Sequence, residues 1–242
     1  MTSPVHSECS SRSVDVQRMF DEIAPRYDLL NHLLSFGLDF YWRRRAVGEL
    51  KLQPGATILD IAIGTGDLAF AAFKLNPKAI VGIDPAERML KRCFEKSIKR
   101  RALNFLELVC GTAEALPMKD RSFHGAMVAF GVRNFSDIQT GLNEIHRVLK
   151  PGAPFVALEL TQPRNRVFKK FFTVYFEHVV PILGRLISGS PYAYRYLPDS
   201  VSTFPAHDSF AALMCTAGFR DVWYRPLTLG TCTLYHGIKE ST

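Results

Sequence analysis

The sequence predicts an α/β protein built on a mostly parallel, doubly wound sheet. Short apolar runs typical of buried strands alternate with helical segments between residues 56 and 160. One run, from Ala56 to Ala62, leads at once into a turn that contains Gly64 and Gly66. Another run ends in Asp84, about twenty residues after these glycines. We therefore expect a ligand site at the carboxyl ends of the strands.

The chain length suits one domain. Its 242 residues are enough for an α/β domain with a full core and too few for two such domains. Residues 1–13 are polar and rich in serine, which is typical of a disordered tail. We therefore expect a single domain over residues 14–242.

Two predicted helices precede the first strand and form an N-terminal cap over residues 14–50. The first carries apolar residues at helical spacing from Val16 onward and ends before Pro25. The second runs from Tyr27 through Trp42 with leucines along one side. Because these helices precede the glycine turn in the chain, they are available to cover a ligand bound there.

The elements after the first strand alternate in type. The further predicted strands are residues 79–84, 103–109, 123–130, 155–160, 219–224 and 228–236. A predicted helix from Ser136 to Leu149 has Ser136 as its N-cap and stops at Lys150-Pro151-Gly152. Residues from about 161 to 205 mix aromatic, apolar and charged side chains, and the charges exclude a membrane-spanning helix there. We expect a helical insertion in this segment.

Two acidic residues, one on each side of the glycine turn in the sequence, help to decide which class of ligand binds there. Gly64-x-Gly66-x-x-Ala69 also satisfies a loose dinucleotide fingerprint, so the turn alone does not select the ligand. Asp60, just before the turn, would repel a pyrophosphate but would attract a sulfonium cofactor that carries an ammonium group. Asp84 is placed to accept both ribose hydroxyls. Together these residues favour S-adenosylmethionine.

The cysteines and the net charge indicate the cellular compartment and the classes of partner. The five cysteines form no C-x-x-C pair and their number is odd, which predicts reduced thiols in a cytoplasm and no structural zinc. The first ten residues lack the pattern of a signal peptide. A formal net charge of +7 allows an anionic partner, either nucleic acid or a membrane surface.

Several longer motifs resemble the quinone C-methyltransferases of late menaquinone and ubiquinone biosynthesis, the UbiE/MenG type. The resemblance extends from about Val16 to Lys239. It rests on Tyr27-Asp28-x-x-Asn31, Ser35-x-Gly37, Trp42-Arg43, Asp60-x-Ala62-x-Gly64-Thr65-Gly66-Asp67, Gly82-Ile83-Asp84, Ala113-Glu114-x-Leu116-Pro117, Phe130-Gly131-Val132-Arg133-Asn134, Tyr194-x-Tyr196-Leu197-x-x-Ser200 and Ala217-Gly218-Phe219. The Phe-Gly-x-Arg-Asn and Tyr-x-Tyr-Leu motifs are the ones most specific to this family.

The resemblance implies a fold and a reaction. The fold is the Rossmann-like class I methyltransferase fold, with seven strands of which the last is antiparallel. The reaction is S-adenosylmethionine-dependent C-methylation of a polyprenylated quinol ring, either a naphthoquinol or a benzoquinol. Such a reaction needs alignment, exclusion of water and help with one proton, and it calls for no metal and no covalent nucleophile. The residues expected to bind the cofactor are Asp60, Gly64, Thr65, Gly66, Asp84, Thr112, Ala113 and Ala129.

Three residues depart from the family pattern. Ile63 stands where the family usually has glycine, Thr112 where it has asparagine, and Ala129 where many members have serine. We expect the larger side chain at Ile63 to narrow the space over the glycine turn. Loss of two polar groups at Thr112 and Ala129 is expected to weaken or re-angle the cofactor.

Arg133 is the expected catalytic residue. It follows the fourth strand, where a guanidinium can stabilise the phenolate that develops on the ring or hold a water that removes the proton. His32 and His178 are the other candidates for the base, although a single histidine is more often structural.

The segment from Phe168 to Tyr196 is expected to form a substrate lid. Its aromatic residues, with Lys169, Lys170 and Arg185, suit contact with an anionic bilayer from which a lipid-tailed substrate is taken. We expect a cytoplasmic protein that contacts the inner face of the membrane, with a homodimer as one arrangement.

S-adenosylmethionine-dependent methylation of another small molecule stays open at this point, and so do two functions of other classes. The positive charge allows a nucleic-acid methyltransferase, but Phe-Gly-Val-Arg-Asn follows the fourth strand where such enzymes carry an Asn-Pro-Pro-Tyr-like motif, so nucleic acid is not an expected partner. A non-catalytic subunit that binds S-adenosylmethionine is the second alternative, which Ile63 and Ala129 make conceivable.

Overall fold

Seven strands form one sheet in the described part of the chain. A computed structural model of the protein describes residues 4–180 and 191–241, with side chains from residue 14 onward except at 177 and 191–195. The strands are β1 (Thr57–Ile61), β2 (Ala79–Asp84), β3 (Leu106–Cys110), β4 (Gly125–Ala129), β5 (Pro154–Leu160), β6 (Phe219–Leu227) and β7 (Cys232–Lys239).

The strand order is β3-β2-β1-β4-β5-β7-β6. Neighbouring strands from β3 to β5 are parallel, and β7 is antiparallel to both β5 and β6. The predicted fold class is confirmed, including the antiparallel last strand. Because the chain builds outward from β1 to β3 and then returns to the other side of β1 as β4, a crevice opens where the order reverses, at the carboxyl ends of these strands.

Helices cover both faces of the sheet. They are α1 (Pro4–Ile23), α2 (Tyr27–Leu34), α3 (Leu38–Glu49), α4 (Asp67–Ala72), α5 (Glu87–Lys99), α6 (Ile138–Val148), α7 (Arg166–Val174), α8 (Pro191–Thr203) and α9 (Asp208–Thr216). Leu59 and Ile61 of β1 lie in one core with α6 and α9, whereas Ile58 lies in the opposite core with α3 and α4. This alternation is the two-residue period of a strand buried on both faces.

The N-terminal cap packs across the carboxyl edge of the sheet. Val16 and Met19 of α1 share a small core with Leu30 of α2 and with Met89 of α5. The Gln17 side chain donates a hydrogen bond of 2.7 Å to the carbonyl oxygen of residue 85, in the loop after β2. The cap therefore lies beside the crevice, as the sequence predicts.

The first helix begins earlier than predicted. It starts at Pro4, so it occupies most of the segment expected to be a disordered tail. Proline is accepted in the first turn of a helix, where its missing N–H is not needed. Packing of Val16 and Met19 supplies a nucleus, and extension of an existing helix into polar residues costs little. Residues 1–3 of the predicted tail lie outside the described residues.

The predicted helix from Tyr27 to Trp42 is two helices. Gly37 adopts φ of +73°, a left-handed conformation that interrupts the helix and that glycine takes without steric cost. The break turns α3 toward the sheet, where Trp42 donates a hydrogen bond of 2.8 Å to the Thr228 hydroxyl in the loop before β7.

The N-cap of α6 is Asp137 and not Ser136. The Asp137 carboxylate accepts hydrogen bonds from the backbone N–H groups of Gln139 and Thr140 at 2.9 and 3.1 Å. The Ser136 N–H donates instead to the Glu114 carboxylate. Both residue types suit an N-cap, so the sequence could not separate two adjacent candidates.

The insertion before the last two strands is helical, as predicted. The α7 helix continues into a π-helical turn, Tyr175–Val179, and α8 leads on to α9. Arg185 and the other residues of 181–190 lie outside the described residues. Among the helices in the two described ranges, none combines the length and apolar character needed to cross a lipid bilayer.

Candidate active site

Two clefts open at the carboxyl edge of the sheet. The glycine-turn cleft has among its walls Gly64, Asp84, Thr112, Ala113 and Ala129. The aromatic cleft lies between the cap and the insertion, with walls that include Trp42, Phe130, Phe172, Tyr175 and Phe176. The two clefts share Tyr27 and Phe130. Ligands in the two clefts would therefore meet at this pair of aromatic residues.

Asp84 ends β2 inside the glycine-turn cleft. Its Oδ2 accepts a hydrogen bond of 2.8 Å from the Gly64 N–H, and its Oδ1 accepts one of 2.9 Å from the Ala86 N–H. Burial raises the pKa of Asp84 to about 6 even though both hydrogen bonds favour the charged form. A carboxylate oxygen accepts about two hydrogen bonds, so each oxygen keeps a position for a ligand hydroxyl.

Gly64 leaves room beside this carboxylate. Its φ is +55°, and a Cβ added at this position would meet no atom within 4 Å. Since Gly64 lines the cleft, a side chain there would occupy space that a ligand needs. The open glycine backbone next to a carboxylate with free acceptor positions fits the ribose of S-adenosylmethionine.

Three of the predicted cofactor residues do not line either cleft. Asp60 is buried, burial raises its pKa well above the ordinary value, and its Oδ2 has no hydrogen-bond partner among the described residues. The Thr65 hydroxyl donates to Asp28 of α2. Gly66 has φ of +89°, and a Cβ there would collide with Cys93 of α5. None of these three residues faces the open space of either cleft.

The expectation for Ile63 is corrected by the structure. Its side chain is 5% exposed and lies in the core with α3 and α4. It occupies the space beside Gly82 of β2, where an added Cβ would collide with it. Ile63 therefore fills a gap inside the core and does not narrow the space over the glycine turn.

Arg133 lines the aromatic cleft and is fixed by a buried acid. Its Nη1 donates to Glu159 Oε1 at 2.7 Å and to the Phe130 carbonyl oxygen at 2.6 Å. Its backbone N–H also donates to Glu159 at 3.2 Å. Burial raises the pKa of Glu159, although Arg133 opposes this shift. The Arg133 Nε is buried without a partner among the described residues.

A second ion pair, between Arg43 and Asp39, also lines the aromatic cleft. The Arg43 guanidinium lies over the Phe130 ring, 5.5 Å from its centroid. His32 Nδ1 lies 2.7 Å from Asp39 Oδ2. Although His32, Asp39 and Asp67 have the residue types of a metal site, Arg43 pairs with both carboxylates, so the group is an ion-pair network.

An apolar rim, defined here as Phe36, Phe171 and Leu229, consists of exposed side chains at the walls of the aromatic cleft or next to them in sequence. These residues are 79%, 70% and 64% exposed, and each is itself a wall residue or adjacent in sequence to one. Lys169 and Lys170 of α7 are exposed beside Phe171. His178 is exposed and lines neither cleft.

Some residues that line the aromatic cleft or hold its side chains were not singled out from the sequence. Glu159 was an available signal, because it is the one charged residue in the apolar run 155–160 and a buried carboxylate needs a partner. Asp39 and Arg43 have the spacing of an ion pair on one helix face, a spacing that is common on solvent-exposed helices. Nothing local to these residues indicates that the pair is buried in a cleft.

The sequence profile of the ubiE/COQ5 methyltransferase family matches residues 8–239. A demethylmenaquinone methyltransferase of Chlorobaculum tepidum is 42% identical over 236 residues, covering 96% of this chain and 95% of that protein. A ubiquinone/menaquinone biosynthesis C-methyltransferase of Syntrophotalea carbinolica is 45% identical over 227 residues, covering 93% and 94%.

Solved structures share the fold. A possible histamine N-methyltransferase of Thermotoga maritima has a TM-score of 0.63 at 20% identity, covering 92% of this chain and 99% of that one. Phosphoethanolamine N-methyltransferase 2 of Haemonchus contortus, in complex with S-adenosyl-L-methionine, has a TM-score of 0.61 at 13% identity, covering 82% and 52%. At these identities the likeness shows the fold alone. The profile match and the curated relatives show that the chain belongs to the ubiE/COQ5 methyltransferase family.

Proposed function

We propose that this protein methylates a ring carbon of a polyprenylated quinol in menaquinone or ubiquinone biosynthesis, with S-adenosylmethionine as the methyl donor. The observation that carries the proposal is the pair of clefts that meet at Tyr27 and Phe130. One cleft has a carboxylate and open glycine backbone for a nucleoside, and the other has aromatic walls for an apolar ring. The names of the curated relatives support the same reaction.

The glycine-turn cleft would hold the cofactor, which supplies an electrophilic methyl group when bound. Asp84 would accept hydrogen bonds from the two ribose hydroxyls, using the acceptor positions left by Gly64 and Ala86. Thr112 and Ala113, after β3, would lie beside the adenine, and Ala129 would face the methyl-donor end. Asp60, Thr65 and Gly66 would act indirectly, by keeping the turn in shape.

The aromatic cleft would hold the quinol ring. Loss of a proton from one ring hydroxyl places carbanion character on the neighbouring ring carbon, which then attacks the methyl group. Arg133 would stabilise the phenolate oxygen, because its guanidinium lines this cleft and offers a positive charge with several N–H donors. Glu159 would keep the guanidinium in place.

The isoprenoid tail of the substrate is the reason to expect that the protein binds a membrane surface. Each CH₂ group exposed to water costs about 0.8 kcal/mol, so we propose that the substrate passes from the bilayer across the apolar rim. Lys169 and Lys170 would contact anionic head groups on the inner face of the membrane. Burial of the same rim in a homodimer is the alternative, and light scattering without lipid separates the two.

Nucleic acid is left out of the proposal. Two basic residues of α5, the helix that carries a cluster of positive charges, already have carboxylate partners. Lys96 pairs with Asp28 and Asp67, and Arg92 pairs with Glu95. Ion pairs within the protein thus neutralise part of the positive charge of this helix.

The test is a quinone extract from cells with and without the gene, combined with an anaerobic assay of the purified protein. Deletion should accumulate a quinone lighter by one methyl, and the protein should methylate that species after reduction. Parallel assays with a naphthoquinol and a benzoquinol decide which ring is used. An unchanged quinone pool together with no turnover of either ring would contradict the proposal.

A further inference from the structure

The proton that leaves the ring needs an acceptor, and the proposed role of Arg133 does not provide one. A guanidinium that stays protonated can stabilise the phenolate but cannot take its proton. Methylation replaces a ring C–H by a C–CH₃ group, so one proton leaves the site in each turnover. The nucleophilic form of the ring is the phenolate, so a group in the aromatic cleft is needed to accept the hydroxyl proton before the attack.

Only one such group lines this cleft in the described structure. Its walls include no histidine, and its titratable side chains are Tyr27, Asp39, Arg43, Arg133 and Tyr175. Burial raises the pKa of Tyr27 and of Tyr175, so both phenols are neutral at pH 7 and can donate but not accept the proton. Asp39 is thus the one carboxylate or imidazole of the described walls.

Asp39 is ionised and held in one orientation. Its side chain is 3% exposed. Burial alone would raise the pKa of Asp39, but Arg43, Ser35 and His32 outweigh burial, and the pKa lies below its ordinary value. The Arg43 and His32 contacts are both to Oδ2, whereas Oδ1 accepts from the Ser35 hydroxyl at 2.8 Å. Oδ1 can therefore accept one further hydrogen bond.

We propose that Asp39 is the catalytic base that accepts the ring-hydroxyl proton, directly or across one water. In this step the ring O–H bond breaks, its electron pair stays on the ring oxygen, and the proton binds Oδ1 of Asp39. After the ring carbon has taken the methyl group, its C–H bond breaks and that electron pair restores the aromatic ring. The ring oxygen then regains the proton from Asp39, and the C–H proton is the one released to solvent. The assignment rests on the proposed function. It gives the two arginines different tasks, because Arg133 binds the phenolate while Arg43 keeps Asp39 ionised until the proton arrives.

His32 and Ser35 are positioning residues in this scheme. His32 Nδ1 donates to Oδ2, and its ring stacks on Phe40 with centroids 4.3 Å apart, which fixes the imidazole. The groups that face Asp39 and its partners are His32 from α2, Arg43 from α3, and beyond them Asp67 of α4, which pairs with Lys96 of α5. Asp28 of α2 also pairs with Lys96, so the two cations face three carboxylates. It is the contacts with Arg43, Ser35 and His32 that keep the pKa of Asp39 below its ordinary value.

The test compares Asp39→Asn with the wild-type protein in anaerobic quinol turnover from pH 7 to 9. Loss of a general base lowers kcat by about 10²–10⁴-fold at pH 7. A phenol has a pKa of roughly 10, so each added pH unit supplies about tenfold more phenolate without a base. The deficit of the variant should therefore shrink about tenfold per pH unit, while its affinity for S-adenosylmethionine, measured by calorimetry, stays within about twofold of wild type.

Two more variants separate catalysis from structure. Asp39→Ala should regain part of its turnover when formate is added, because formate replaces the missing carboxylate. Glu95→Gln is the matched control, since it removes a carboxylate from an exposed ion pair with Arg92, and it should have wild-type turnover at every pH. A deficit that is the same at pH 7 and pH 9, without rescue by formate, would overturn the assignment of Asp39 alone. Absence of turnover in the wild-type protein would overturn the proposed function and this assignment with it.

Discussion

Arg133 and Glu159 form a buried ion pair that joins the turn after β4 to strand β5. Their side chains are 6% and 0% exposed, and both the guanidinium and the backbone N–H of Arg133 donate to the same carboxylate. Removal of one partner of a buried ion pair leaves an unpaired charge, whereas removal of both does not. Stability and catalysis can therefore be separated at this site.

Arg133→Ala should lower the free energy of unfolding by about 3–5 kcal/mol, because Glu159 is left unpaired. The double variant Arg133→Met/Glu159→Met should recover most of that loss but should have no more turnover than the single variant. Denaturant unfolding and single-turnover kinetics measure the two quantities. Recovery of both stability and turnover in the double variant would mean that Arg133 has only a structural role.

Affinity for S-adenosylmethionine should rise as the pH increases through about 6, the pKa of Asp84 in the unliganded protein. Only the ionised carboxylate can accept both ribose hydroxyls, and each such hydrogen bond to a charged group contributes about 1.5–3 kcal/mol. Asp84→Asn should bind more weakly at pH 7.5 and should lose this pH dependence. Calorimetry at pH 5, 6 and 7.5 decides the matter, and equal affinity of the two proteins at pH 7.5 would rule out the ribose contact.

The raised pKa of Asp84 also determines how the free energy of unfolding of the unliganded protein changes with pH. The pKa of Asp84 is raised on folding, so the folded state binds the proton more tightly than the unfolded state. Its contribution is present below pH 4 and is lost as the pH rises through about 6, by at most roughly 3 kcal/mol. Asp84→Asn should therefore flatten the decline in unfolding free energy between pH 4 and 6. A wild-type decline that persists unchanged in the variant would assign it to other groups.

Ile63→Ala should destabilise the protein without changing its cofactor affinity. Truncation of a buried isoleucine costs about 2–5 kcal/mol, and Gly82 offers no side chain to fill the cavity. Thermal unfolding and calorimetry with S-adenosylmethionine test the two parts. A tighter cofactor complex in the variant would instead show that Ile63 restricts the glycine-turn cleft.

Flotation with vesicles of anionic phospholipid should depend on the apolar rim and on α7. Phe171→Ser and Lys169→Glu/Lys170→Glu should each weaken binding, since a lysine near such a surface contributes about 1 kcal/mol and added salt screens it. Phe94→Ser is the matched control, because Phe94 is 49% exposed on α5, outside both clefts. Equal flotation of all four proteins would place the membrane contact elsewhere or remove it from the mechanism.

The strands, the glycine turn and Asp84 could be predicted from the sequence because each depends on residues that are neighbours in the chain. The run 79–84 became β2 with the same bounds, and its terminal acid lies in the glycine-turn cleft. Two predictions of finer detail were wrong: which of two adjacent residues caps α6, and whether the Ile63 side chain points to the cleft or to the core. Ser136 and Asp137 are both residue types that suit an N-cap. The space for the Ile63 side chain is left by Gly82 on the neighbouring strand, and the residues around Ile63 do not indicate this.

The sequence by itself determined the family, the order of strands and helices, and the acid at the end of β2 that lines the glycine-turn cleft. Only the tertiary structure decided which side chains meet in the clefts. Arg133 and Glu159 are 26 residues apart, and Tyr27 and Phe130 come from the cap and the sheet. Asp39 and Arg43 are close in the chain, but Arg43 also meets Asp67 of α4 and the Phe130 ring after β4, which lie far from it in the sequence. Burial strengthens the interaction of a charged group with a nearby partner, and it favours the neutral form of a group that has none. The partners come together only after distant segments have packed.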